Sequence, residues 1–140
     1  MKILIPVDGS AHSLRALRFV VRQWPHSENE PSLHLLHVDV PLSAHVSGFL
    51  DPVAMAQFHA HNGARALRPA RRILAREGRL HEESMHVGDP AEDIVQVARK
   101  GRFDLIAMGS HGRGAVGSMF LGSVVLKVLA NSRIPIVVVR

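Results

Sequence analysis

The chain is 140 residues long, carries a formal charge of +5 and contains no cysteine. That length supports one domain with its own core, and the missing thiols exclude disulfides, thiolate metal sites and a cysteine nucleophile. The charge comes mostly from arginines at helical spacing, Arg65, Arg68, Arg71, Arg72, Arg76 and Arg79 in the densest group, with few aromatics and no tyrosine; this reads as a solvated helix face and not a nucleic-acid surface.

The opening MKILIPVDGS has an apolar stretch too short for a signal-peptide core. No apolar run approaches the roughly 20 residues of a membrane span. The expectation is a soluble, unprocessed, cytoplasmic chain with no membrane partner. Lys2–Val7 reads as a buried strand ending in the Asp8-Gly9-Ser10 turn. Ser10 or Ser13 can cap the following helix, whose apolar face is Leu14, Leu17, Val21 and Trp24. Leu33–Val40 is a second strand, and PLSAHVSGFLDP a loop or lid. A helix is expected over Val53–Glu77, with Pro69 kinking or splitting it and Gly78 stopping it.

Leu80–Val87 is polar for a strand and is placed at a sheet edge. GDPAEDIVQVARKG is a helix with Asp89 as cap, Pro90 in the first turn and Ile94, Val97 and Ala98 as its buried stripe. Phe103–Met108 is a central strand. A helix presenting Val124, Val125, Val128 and Leu129 inward follows, then a last strand, Ile134–Val139. The order βαβαβαβαβ predicts a single-domain α/β fold, an open five-stranded parallel sheet with helices on both faces. Ligands of such sheets bind at the carboxyl ends of strands where the strand order reverses.

Residues 109–123, GSHGRGAVGSMFLGS, hold five glycines between a central strand and a helix. Backbone amides and a helix N-terminus converge there, and phosphate is their natural guest. Gly109 lets the chain leave the strand tightly, Gly112 and Gly114 expose amides, Gly122 permits close approach, and Ser123 adds a hydroxyl. The competing reading is that the glycines only shape a long turn and let a helix pack closely. Neither a GxxxxGK[ST] loop nor a GxGxxG fingerprint occurs.

The spacing Gly109-x-x-Gly112, nine residues, then Gly122-Ser123 resembles the G-2x-G-9x-G-[ST] nucleotide motif of the universal stress protein family. ILIPVDGS, LLHVDV, VGDPAEDIV, DLIAMGSHGRG and IPIVVV resemble the same family in order over the whole chain. The resemblance implies a Rossmann-like fold with ATP across the carboxyl ends of strands one and four; any metal would be Mg²⁺ or Mn²⁺ travelling with the triphosphate. It places Pro6, Val7 and Asp8 at the adenosine, the Val38 backbone at the adenine, and Met108 and Gly109 by the ribose. His111, Gly112, Gly122, Ser123 and Val124 would surround the phosphates. It also implies a homodimer through Ile134–Val139, which would cover that apolar edge. One departure is Val125, where nucleotide-binding members often carry a second hydroxyl. Loss of one uncharged hydrogen bond is about 0.5–1.5 kcal/mol, which weakens binding without abolishing it.

Ten histidines invite a metal reading. However, His59 and His61 diverge on a helix, His34 and His37 point to opposite faces of a strand, and no HxxxH or HExxH pattern occurs. No GxSxG elbow accompanies Ser10, His12, Ser110 and His111. Arg113 can reach a phosphate or stay solvated. The reading is an ATP-binding regulator in the stress response, with at most slow hydrolysis and an unidentified protein partner. Two alternatives remain: a protein-interaction module with a structural glycine loop, and an adenylating enzyme on the same fold.

Overall fold

The computed structural model describes residues 1–112 and 121–140, the side chain of Val46 excepted. The elements are β1 (Lys2–Pro6), α1 (Ala11–Gln23), β2 (Ser32–Asp39), α2 (Ala44–Ser47), α3 (Pro52–Arg76), β3 (His81–Val87), α4 (Pro90–Lys100), β4 (Leu105–Gly109), α5 (Ser123–Asn131) and β5 (Ile136–Val139). The strands form one parallel sheet in the order β3-β2-β1-β4-β5. The chain moves outward from β1 to β3, then crosses back to β4, so the order reverses between β1 and β4.

The sequence explains this layering. Ile3, Leu4 and Ile5 are fully buried, as a strand covered on both faces requires. Leu17, Val20 and Val21 of α1 pack with Leu67, Ala70 and Leu74 of α3 against Ile3, Ile5 and Leu35 on one face. Ala91, Ile94 and Ala98 of α4 join Val125 and Val128 of α5 against Leu4, Leu36 and Ile106 on the other. The polar strand β3 is an edge, as its pattern indicated. Ser10 is the cap of α1 and Asp89 that of α4. Among the described residues, no helix is long and apolar enough to cross a membrane.

Several expectations need correction. Helix α3 runs unbroken through Pro69. The carbonyl that proline leaves without a donor belongs to Arg65, an exposed residue. The segment expected as loop contains the one-turn α2. Strand β4 runs Leu105–Gly109 and not Phe103–Met108. Leu129 was expected to face inward, but it is 42% exposed beside Leu126 at 53%. Val20 is buried, while Leu14 and Trp24 only border the core. Arg79 does not belong to a solvated face: its side chain is 1% exposed and donates to the carbonyls of Trp24 and Pro31.

Candidate functional site

Where the strand order reverses, a cavity of about 610 Å³ opens at the carboxyl ends of β1, β2 and β4. Each wall has a local cause. Strand β1 ends at Pro6, and the turn through Asp8 and Gly9 reverses the chain. Gly9 adopts φ +81°, open to glycine at little cost, and the Asp8 carboxylate accepts from Ser10 N–H at 2.9 Å. Pro6, Val7 and Asp8 line one side of the cavity, Val38 the β2 side, and Met108 and Gly109 the β4 side. His111, Gly112, Gly122, Ser123 and Val124 form the far end. All eleven residues singled out from the sequence therefore border one cavity. Arg113 and Gly114 lie outside the described residues.

The two ends of the glycine-rich excursion are pinned together. Gly122 N–H donates to the Ser110 carbonyl at 2.8 Å, and Ser110 N–H to the Val139 carbonyl at 2.8 Å. An added Cβ at Gly112 would meet Asp8 Oδ2 at 3.1 Å, and one at Gly122 would meet His111 Cα at 3.3 Å. Helices α1, α3 and α4 have their first amides capped by Ser10, Asp51 and Asp89. Helix α5 starts at Ser123, and its cap residue Gly122 offers no side-chain cap, so its amino end, which borders the cavity, suits the acceptor atoms of a ligand. His111 Nδ1 lies 3.0 Å from Ser110 Oγ, and its buried Nε2 has no partner among the described residues.

Several residues of the wall were not singled out. Asp39 ends β2 at the rim; its Oδ2 accepts from His59 Nδ1 at 2.7 Å and Asn62 Nδ2 at 2.9 Å. Burial opposes ionisation of Asp39, but hydrogen bonds from His59 and Asn62 and the nearby His59 and His37 outweigh it and hold the carboxyl below its ordinary value. His37 is buried and donates from Nδ1 to the Val7 carbonyl at 2.8 Å, fixing the exit of β1 to β2. The signal available for both was an acid and a histidine at the carboxyl end of a strand. Val125, 2% exposed, also lines the cavity, so a hydroxyl at that position would border it.

His12 stands behind this end of the site. Its ring centroid lies 5.2 Å from that of His111, and its Nδ1 accepts from Arg15 Nη2 at 2.8 Å, since a guanidinium only donates. Burial, then Arg15 and His111, lower its pKa from 6.5, with Asp8 opposing. The folded chain thus binds this proton less readily than the unfolded chain. His12 therefore subtracts stability as the pH falls below 6.5. Urea melts between about pH 7.5 and about pH 5.5 should show His12→Gln losing less stability over that interval than the parent chain.

Comparison with known proteins places this geometry. The family model of the universal stress protein family matches residues 1–140. A universal stress protein of Thermus aquaticus is 34% identical over 139 residues, covering 99% of this chain and 97% of its own. The solved structure of MJ0577 from Methanocaldococcus jannaschii superposes with a TM-score of 0.80 at 28% identity, covering 99% of this chain and 94% of that one. A universal stress protein crystallised in complex with cAMP shares the fold, with a TM-score of 0.71 at 23% identity over 100% of this chain and 97% of its own. With the family model matched from end to end and the fold shared with its solved structures, this chain belongs to the universal stress protein family.

Proposed function

We infer that the chain binds ATP in the cavity between β1, β2 and β4 and acts as a cytoplasmic, homodimeric regulator in the stress response. The observation that carries this reading is the uncapped start of α5 at Gly122, facing a cavity whose end is built from Gly112, Gly122 and Ser123. Donors of this kind suit phosphate, and His111 Nε2, without a partner among the described residues, adds another place for a ligand atom. The adenine would meet the Val38 backbone, the ribose Met108 and Gly109, and the adenosine end Pro6, Val7 and Asp8. The family relative that holds cAMP supports an adenine nucleotide as the guest.

Mg²⁺ or Mn²⁺ would travel with the triphosphate and neutralise part of its charge. Among the described residues lining the cavity there is no arginine or lysine to stabilise charge in phosphoryl transfer, in keeping with at most slow hydrolysis. Dimerisation would use β5. It is an edge strand of apolar residues, and the half-exposed Leu126 and Leu129 stand on the neighbouring helix. Pairing with a second copy covers such an edge.

A thermal-shift titration with Mg-ATP, GTP and AMP tests the nucleotide reading. At a hundredfold excess over Kd, ATP should add about 2.7 kcal/mol of stability. The shift should shrink with AMP and with GTP. No shift at millimolar ATP would leave the glycines structural and turn attention to protein partners.

A further inference from the structure

A second cavity, of about 430 Å³, lies at the opposite pole of the molecule. It opens between the carboxyl ends of α1 and α3, beside the segments that lead into β2 and β3. Four arginines line it: Arg18 and Arg22 from α1, Arg76 from α3, and Arg79 beyond it, with His26 and Glu77 at the rim. Its volume falls within the range of small-molecule sites.

The four arginines do different things. Arg79 is buried and structural: it donates to two carbonyls, and its Nε lies 3.0 Å from Glu30 Oε2 as an ion pair without hydrogen-bond alignment. Glu30 also takes His26 Nδ1 at 2.7 Å, so this carboxylate is already shared. Arg18, Arg22 and Arg76 are exposed, and no carboxylate among the described residues lies within ion-pair distance of any of them. Helix dipoles account for Arg22 and Arg76, which sit in last turns. They do not account for Arg18, one turn earlier and four residues from Arg22, where like charges repel. Even with Glu77 present, the rim keeps a surplus of positive charge around a concave space.

We propose that this cavity is a second ligand site, for a small anion carrying two or more phosphate groups. Guanidiniums bind phosphate oxygens in pairs of parallel hydrogen bonds. A single phosphate can occupy Arg18 and Arg22 on one helix. An anion with a second phosphate also reaches Arg76 across the groove and bridges α1 to α3. The site is remote from the carboxyl ends of the strands and stands whether or not the first cavity takes ATP.

Inorganic tripolyphosphate is the probe. Titrated into ¹⁵N-labelled protein, it should shift the amides around Arg18, Arg22 and Arg76. The triple variant Arg18→Gln/Arg22→Gln/Arg76→Gln changes only exposed side chains, so it should keep its spectrum and lose about tenfold or more in tripolyphosphate affinity, as expected when charged hydrogen bonds are removed. Raised salt should weaken the parent's binding. The proposal is overturned if the shifts are confined to residues 109–112 and 122–124, if the triple variant binds as tightly as the parent, or if millimolar tripolyphosphate moves nothing.

Discussion

Gly109→Ala should destabilise the protein by about 3 kcal/mol, at the upper end of what overpacking costs. The added Cβ would lie within 3.0 Å of three atoms, the carbonyl carbon and oxygen of His12 and the amide nitrogen of Ser13. All three are backbone atoms of the first turn of α1, so no side chain can swing aside. Helix α1 would have to lift from β4, taking with it Leu17 and Val20 from the core. Urea melts should show a lower midpoint with an unchanged slope. A midpoint equal to the parent's would mean that α1 does not rest on the Gly109 backbone in this way.

The matching change at the other end of the motif should act on the ligand instead. Gly122 has φ −64° and ψ 155°, a conformation open to any residue. An added Cβ there finds His111 Cα at 3.3 Å, the Ser110 carbonyl at 3.4 Å and Gly112 N at 3.8 Å. This is tight contact that a small local shift relieves. Gly122→Val should therefore stay folded while its branched side chain fills the approach to the amino end of α5. Calorimetric titration should show ATP affinity reduced about a hundredfold or more, as when two charged hydrogen bonds are lost. A folded Gly122→Val that binds ATP like the parent would remove the phosphate role of this end of the cavity.

The pair also marks what could be read from sequence. Strand and helix order followed from apolar runs, helical spacing and the turn and cap residues between them, because Ile3–Ile5 and Ile106–Met108 had to be buried on both faces while His81–Val87 could not be. The glycines were visible as a group, but their division of labour was not. Gly109 serves helix packing because α1, ninety-odd positions earlier in the chain, crosses β4 at that point. Gly112 and Gly122 border the cavity too, but among the described residues their neighbours are Asp8, Ser110 and His111 and not the backbone of a helix. The same long-range dependence hid Arg79, whose partners Trp24, Glu30 and Pro31 are distant in sequence. It also hid Asp39, whose role rests on His59 and Asn62 of a helix one crossover away. Pro69 was read as a kink or a break, and the break is what the continuous helix from Pro52 to Arg76 rules out.

The position of β1 has a consequence for how the chain assembles as it is made. Of these five strands the one made first is the middle one of the finished sheet, and Ile3 has Leu105 as its neighbour on one side. At about 5–20 residues per second, that neighbour arrives several seconds to tens of seconds after β1. Until then β1 can pair with β2 alone, and the backbone N–H and C=O groups on its other edge have nothing native to bond. The nascent chain thus passes through a stage with an open strand edge at its centre, where recognition by a chaperone or mispairing with another chain competes with completion of the fold.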